Sequence, residues 1–242
     1  MNSPVIVFSL GAWITPPFFH ALRAQLQDLG FASKCPAHPS IGAEPPSKTL
    51  SDDVASLRRL LTNLADGENE IVVVAHSYDG VVASNAVDGL SKTTRAQSGQ
   101  AGGVVQVIYL AAFALDRGQS LLEMLGGSFL PWMQVEGDYV YIDGSSHIGW
   151  QDLPLDEQVQ WNTFTHHTSR AVFAGKVTHE PWSSEAMPPA FQEGFAAKVA
   201  GPENTYRLPA SHSPFLSMPI RLADALYANS GCREWTENGH CG

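Results

Sequence analysis

The sequence is short of cysteine, of basic residues and of long apolar runs, and each shortage excludes a class of protein. Its 242 residues include three cysteines, Cys35, Cys232 and Cys241. They are too few and too scattered for a disulfide framework or a metal site. The 14 lysines and arginines stand against 24 aspartates and glutamates, and the net charge of −10 argues against nucleic acid or an anionic membrane surface as a partner. We therefore expect a reduced, cytoplasmic protein with no metal and no organic cofactor.

No apolar run reaches the roughly 18–20 residues that a membrane-spanning helix needs. The N-terminal sequence MNSPVIVFSL has no basic segment ahead of its short apolar stretch, so we expect a first strand there and not a signal peptide. With 44% hydrophobic residues, the chain can build one sizeable core. The sequence predicts a single domain over residues 1–242 that does not associate with membranes and is compatible with a homodimer.

Strand-like and helix-like segments alternate along most of the chain. Short continuous apolar runs are typical of strands that are covered on both faces, and the steps of three and four between Leu50 and Leu64 predict an amphipathic helix. This alternation predicts an α/β fold, a mostly parallel sheet with helices on both faces. Strands are predicted at residues 4–10, FASKC, 71–74, 104–110 and TYRLPA, and helices at residues 18–29, 50–64, 81–90, 189–199 and 219–228.

The alternation is interrupted between about residues 116 and 185, where aromatic residues are dense and VEGDYVYIDG resembles a small hairpin. One interpretation is an ordinary insertion with its own small core. The other is a cap over the carboxyl ends of the strands, whose aromatic side chains, among them Trp132, line an apolar pocket.

Ser77 lies where an apolar strand turns directly into a helix, in the sequence VVVAHSYDGVVAS. This is the context of a nucleophile elbow, in which a tight turn lifts a serine side chain off the sheet. The five residues Ala75 to Asp79 depart from the Gly-x-Ser-x-Gly consensus, most clearly at Asp79. A serine after a strand can also be an ordinary helix cap, so the pentapeptide alone does not establish a nucleophile.

A catalytic serine needs a base, and His212 is well placed for it. It lies in LPASHSPFLSMP, after the last predicted strand, which is where an elbow fold delivers its histidine. His76, next to the serine, should point elsewhere and is interpreted as structural. The N–H groups of Tyr78 and Ala12 are the candidate oxyanion donors, because Gly11 lets the backbone turn towards the substrate. Alternatively, residues 11–13 form only a turn with a buried tryptophan.

The motifs GAWITPPFF, CPAHPSIGAEPP, VVVAHSYDGVVAS and SHSPFLSMP, with VIYLAAFALDRGQSLLEMLGG between them, occur in an order similar to that of the α/β-hydrolase superfamily. The chain most resembles its small esterase branch, which includes plant methylesterases and hydroxynitrile lyases. The resemblance implies Ser77 as nucleophile, His212 as base, and the N–H groups of Ala12 and Tyr78 as the oxyanion hole. Relatives usually have glycine where Asp79 stands.

The acid of the triad has no clear counterpart, because the strand and aspartate that relatives carry before AMPPAFQEGF are missing. Three candidates are open. Glu180 follows RAVFAGKV, which is read as a strand, and is our prediction for the residue that contacts the His212 ring. Glu185 and Asp116 are the alternatives.

These residues support three hypotheses about function. The first is a serine hydrolase that acts on a small, largely apolar ester or lactone through an acyl-serine intermediate. The second is a binding protein for small molecules that has lost its catalytic acid. The third is a lyase of the hydroxynitrile type, which needs a cation near the pocket, and Lys176 is the only lysine in the aromatic region.

Overall fold

The computed structural model of the chain describes residues 3–143, 148–181 and 206–229. Its strands are β1 (Val5–Ser9), β2 (Ser33–Lys34), β3 (Glu70–His76), β4 (Gly103–Leu110), β5 (Met133–Glu136), β6 (Tyr139–Ile142) and β7 (Thr168–Ser169). Its α-helices are α1 (His20–Asp28), α2 (Leu50–Asp66), α3 (Asp79–Ala86), α4 (Lys92–Gln97), α5 (Leu121–Met124), α6 (Leu155–Asn162), α7 (Pro214–Ser217) and α8 (Pro219–Asn229). Two 3₁₀ helices cover Pro16–Phe19 and Arg170–Ala174.

The main sheet is parallel and has the order β2-β1-β3-β4 among the described strands. Alternate side chains of β1 and β3 point to opposite faces, and both faces are covered. Val7 and Val73 enter the core beneath α2 and α3, whereas Phe8 and Val74 enter the core beneath α1 and α8. The predicted α/β fold, with a parallel sheet between two helical layers, is confirmed.

Helix α2 begins as the sequence indicates. Thr49 and Asp52 form the predicted capping box, and the backbone N–H of Thr49 lies 2.8 Å from Asp52 Oδ2. Leu57 and Leu61, on the apolar stripe of this helix, are fully buried. The helix therefore fixes one layer over the strands that carry the candidate site.

The predicted hairpin forms as well, with β5 and β6 antiparallel and β7 added along β6 as a third strand. Two other predicted strands are wrong. RAVFAGKV is not a strand, because the chain turns after β7 into a 3₁₀ helix that buries Val172 and Phe173. Residues 206–210 of TYRLPA form no strand and do not pair with any of the described strands. The helix predicted at 189–199 lies outside the described residues.

Candidate active site

Ser77 stands in the single sharp turn between β3 and α3. Its φ angle is 56°, in the left-handed region that non-glycine residues rarely adopt. Two N–H groups hold this strained turn from within, since those of Gly80 and Phe113 each donate to the carbonyl oxygen of Ser77 over 3.1 Å. Strain of this kind persists only where the surroundings enforce it, and it is typical of functional sites.

In this elbow the residue that must be glycine to avoid a backbone clash is Gly80, and not the residue at position 79. A Cβ atom at Gly80 would lie 2.1 Å from the carbonyl oxygen of Phe113. Because Gly80 supplies the space between α3 and the segment after β4, a larger residue fits at position 79. This explains how the chain departs from the consensus pentapeptide and still forms the turn.

The loop after β1 places Ala12 beside the elbow. Gly11 has a φ of 98°, and a Cβ there would lie 3.0 Å from Nδ1 of His76 and 3.2 Å from the Cβ of Ser77. In the described part of the chain, the backbone N–H groups of Ala12 and Tyr78 donate to no other group. Both residues border the same cavity as Ser77, and two N–H donors beside a nucleophile are the arrangement that stabilises an oxyanion in acyl transfer.

Trp13 fastens this loop to the hairpin. Its φ is 67°, its N–H donates to Oγ1 of Thr168 over 3.0 Å, and its Nε1–H donates to the carbonyl oxygen of Val140 over 2.9 Å. Its carbonyl oxygen accepts from the N–H of His166. The interpretation of residues 11–13 as a turn with a buried tryptophan therefore also holds, and the tryptophan ties the candidate oxyanion loop to the insertion.

His212 lies on the loop before α7 and borders the same cavity as Ser77, although no hydrogen bond joins the serine hydroxyl to its ring. Asp152 fixes this loop, since its Oδ2 accepts from the N–H of Ser211 over 2.9 Å. Burial, and to a smaller extent the neighbouring His76, lowers the pKa of the His212 imidazole to about 3. His212 is therefore neutral near pH 7, the form in which it can accept a proton.

The predicted contact between Glu180 and the His212 ring is wrong. Oε1 of Glu180 accepts from the N–H of Arg117 over 2.5 Å, and the pair joins the segment after the 3₁₀ helix to the loop after β4. The prediction failed because it placed Glu180 after a strand that does not form. Neither Asp116 nor any other carboxylate in the described ranges pairs with His212, and Glu185 lies outside the described residues.

A second group of buried polar residues lies beneath the elbow, and sequence reasoning missed it. Asp79 accepts from the hydroxyl of Ser9 over 2.5 Å and from Nε2–H of His38. Asp53 accepts from the hydroxyl of Ser40 over 2.6 Å and from the hydroxyl of Tyr78 over 3.1 Å. Asp79 itself was the signal available in the sequence, because a carboxylate in an elbow must be buried and must find partners.

The cavity that contains Ser77 has a volume of about 230 Å³ and walls that are almost entirely apolar. Among the residues that the structure describes, no aspartate, glutamate, lysine or arginine lines it. Part of the wall comes from the aromatic-rich segment, including Trp132 and Phe173. The residues from this segment are Leu121, Leu125, Leu130, Trp132, Met133, Ile142, Ile148, Gly149, Trp150, Thr165 and Phe173.

Lys176, the cation that a lyase would use, does not line this cavity. Its ammonium group pairs with the carboxylate of Glu123, and both side chains are about half exposed. Within the described ranges, no group of three or more His, Cys, Asp or Glu side chains could hold a metal ion. None of the described helices combines the length and the apolar character needed to cross a membrane.

A family model described as the alpha/beta hydrolase family matches residues 6–225. The probable hydrolase R7 of a Phoma species is 26% identical, and the match covers 96% of this chain and 100% of that protein. The alpha/beta hydrolase nvfD of Aspergillus novofumigatus is 30% identical over 125 residues, which is 52% of this chain and 49% of nvfD, so the match spans about half the length of that relative.

The fold is also similar to that of solved structures. A methylesterase from Arabidopsis superposes with a TM-score of 0.70 at 19% sequence identity, covering 93% of this chain and 98% of that one. At this level of identity the likeness concerns the fold.

Proposed function

The chain belongs to the alpha/beta hydrolase family, and we propose that it is a serine hydrolase that cleaves a small, largely apolar ester or lactone. The resemblance seen in the sequence is confirmed at the level of the family. The observation that carries the proposal is Ser77, held in a left-handed turn with its side chain at an apolar cavity that His212 also borders. A strained serine at this position is the arrangement of a nucleophile.

The reaction proceeds in two steps. The Ser77 hydroxyl attacks the ester carbonyl while His212 takes its proton, and the N–H groups of Ala12 and Tyr78 stabilise the oxyanion. The intermediate then collapses, the alkoxide leaves with the proton from His212, and an acyl-Ser77 remains. Water attacks this acyl group with His212 as base, which releases the acid and restores the serine.

The cavity supports a substrate that is small and uncharged. Its volume of about 230 Å³ is below the roughly 300–1,000 Å³ of pockets for drug-sized ligands. An ionised substrate would find no counter-charge among the described residues of its walls. We propose that the segment of about residues 116–185 acts as a cap on a single hydrolase domain and that its aromatic side chains set the size of the acyl or alcohol group. The methylesterase in the comparison acts, by its name, on esters.

A fluorophosphonate probe tests the proposal, because it labels only a serine that is activated and placed at an oxyanion hole. We expect covalent labelling of the wild type and hydrolysis of p-nitrophenyl butyrate. Ser77→Ala should lose both, with turnover reduced by about 10⁴-fold or more. Ser47→Ala, which removes an exposed serine that does not line the cavity, serves as the control. Labelling of Ser77→Ala equal to that of the wild type would overturn the assignment.

A binding protein with little or no turnover is the second candidate, and one observation favours it. In the described part of the chain, His212 has no carboxylate partner to stabilise its imidazolium form. This candidate predicts that the wild type binds apolar esters without hydrolysing them and does not react with the fluorophosphonate. The same labelling experiment therefore separates the two.

A further inference from the structure

Asp79 is an unusual residue for its place. It follows Ser77 by two positions, where the consensus elbow has glycine, and as the first residue of α3 it is fully buried. Both of its hydrogen bonds reach Oδ2, from Ser9 and from His38, whereas Oδ1 has no hydrogen-bond partner among the residues that the structure describes. A buried carboxylate is costly unless a charge of opposite sign and hydrogen-bond donors compensate it.

The two partners of Asp79 come from separate parts of the chain. Ser9 is the last residue of β1 and precedes Ala12 by three positions, whereas Asp79 directly follows Tyr78. The Ser9–Asp79 hydrogen bond therefore joins the two segments that carry the candidate oxyanion donors. His38 adds a third segment, the loop after β2.

Of the described titratable side chains around Asp79, only His38 has its charged form favoured by its surroundings. Burial alone would lower the pKa of His38, but the charge of Asp79 and the hydrogen bond to it outweigh this effect, so its pKa is raised. Burial raises the pKa of the nearby Asp53, which shifts it towards its neutral form, and burial raises the pKa of the Cys35 thiol to about 12, so this thiol is neutral. Tyr78, whose pKa burial also raises, is a neutral phenol. His38 is thus the cation that faces Asp79.

We propose that His38 and Asp79 are a positioning pair for the oxyanion hole. Asp79 ties the segment of Ala12 to that of Tyr78, and the imidazolium of His38 cancels a negative charge that would otherwise stand next to the developing oxyanion. Donors aimed at a developing charge are effective only when the surrounding charges do not oppose them. This inference rests on the proposed serine hydrolase and assigns it two further residues, neither of which touches the substrate.

Removing the positive charge alone and then both charges together tests the pair. His38→Gln keeps a hydrogen-bond donor but leaves Asp79 uncompensated, and we expect kcat for p-nitrophenyl butyrate to fall with KM unchanged. The loss should be about tenfold to a hundredfold, somewhat less than the roughly 10²–10³-fold cost of deleting an oxyanion donor. The double variant His38→Gln, Asp79→Asn carries neither charge and should recover most of the lost kcat. His179→Gln, which removes another buried histidine that pairs with an aspartate but does not line the cavity, should leave kcat unchanged.

The kcat values of these variants show whether charge compensation by His38 supports the oxyanion hole. A kcat of His38→Gln equal to that of the wild type overturns the pair, and so does a folded double variant that stays as slow as His38→Gln, because the effect would then be packing and not charge. If His38→Gln does not fold, the double variant alone decides. Its kcat must then stay within about tenfold of the wild type, a smaller loss than the roughly 10²–10³-fold cost of deleting an oxyanion donor, and a larger loss overturns the pair. If the wild type neither hydrolyses esters nor reacts with the fluorophosphonate, the proposed function is overturned, and this role with it. If the wild type is active and His38→Gln has the same kcat, only this inference is overturned.

Discussion

His76 holds His212 through the backbone: its Nε2 lies 2.9 Å from the carbonyl oxygen of His212, and the two rings lie 4.6 Å apart between centroids. The other ring nitrogen of His76, Nδ1, lies 2.8 Å from the carbonyl oxygen of Leu10. One imidazole thus spans the loop of the candidate base and the loop of the candidate oxyanion donor. A neutral imidazole has one N–H, so only its protonated form donates to both carbonyls. The structural role predicted for His76 agrees with these contacts.

Replacing this imidazole should loosen both loops. His76→Phe keeps an aromatic ring against Phe19 and Phe215 but removes both ring nitrogens. Burial lowers the pKa of His76 and favours the neutral ring, so the variant loses the one N–H that donates to the carbonyl oxygen of either Leu10 or His212. Each unsatisfied buried acceptor costs about 1–3 kcal/mol, so the free energy of unfolding in urea should fall and kcat should fall with it. His20→Phe, an exposed histidine at the start of α1, is the control. An unchanged urea midpoint together with an unchanged kcat would contradict the bridging role.

The pH profile should reflect the low pKa of His212. A histidine acts as a base only when neutral, and activity is lost as the pH falls through its pKa. Because burial lowers this pKa to about 3, the acid limb of kcat/KM should lie below about pH 5 instead of near the ordinary histidine value of about 6.5.

The profile needs a check on folding at low pH. Burial lowers the pKa of both His76 and His212, so between their ordinary values and their folded values the unfolded chain binds more protons and stability falls as the pH drops. Returning each sample to pH 7 and assaying it again separates unfolding from titration. An acid limb near pH 6–7 would show that a carboxylate outside the described residues stabilises the imidazolium of His212.

Glu180 should prove dispensable for turnover. Its carboxylate accepts a backbone hydrogen bond from Arg117 and does not contact His212, and the amide of Glu180→Gln can accept the same bond. We expect kcat to stay within about twofold of the wild type, the range of an ordinary surface substitution.

Glu185→Gln is the matched variant, because Glu185 is the remaining candidate acid. A loss of about 10⁴-fold is the scale for removing the acid of a triad. Such a loss in Glu180→Gln would contradict the contacts seen here. The same loss confined to Glu185→Gln would place the acid in the part of the chain outside the described residues.

The sequence predicted the parts of this fold that depend on local patterns. The apolar stripe and capping box define α2, the continuous apolar runs define β1, β3 and β4, and the alternation in VEGDYVYIDG defines the hairpin. The elbow was also predicted, since the turn at Ser77 follows directly from a strand that meets a helix.

What the sequence could not predict depends on contacts between distant segments. RAVFAGKV has the composition of a strand, but Val172 and Phe173 are buried from a 3₁₀ helix, because tertiary packing overrides a weak local preference. The His38–Asp79 pair joins residues 41 positions apart, and no local pattern marks such a contact.

Trp132 should limit the size of the substrate. It lines the cavity and meets the ring of Trp13 edge to face, with the ring centroids 5.6 Å apart. Trp132→Ala removes a large part of this wall, so kcat/KM should rise for p-nitrophenyl octanoate relative to the butyrate. The enlarged pocket also loses apolar contacts with the short ester, and one methylene of misfit is worth about 1–3 kcal/mol in a hydrophobic pocket. The ratio of kcat/KM for the octanoate to that for the butyrate should therefore rise by at least about tenfold.

Trp161→Ala is the control for this prediction, because Trp161 packs on Phe18 with ring centroids 4.8 Å apart and does not line the cavity. It removes the same aromatic volume and should destabilise the protein, but the ratio of kcat/KM for the octanoate to that for the butyrate should not change. A ratio that moves equally in both variants would mean that general loosening, and not the wall at Trp132, selects the acyl chain. An unchanged ratio in Trp132→Ala would mean that the acyl chain occupies another part of the cavity.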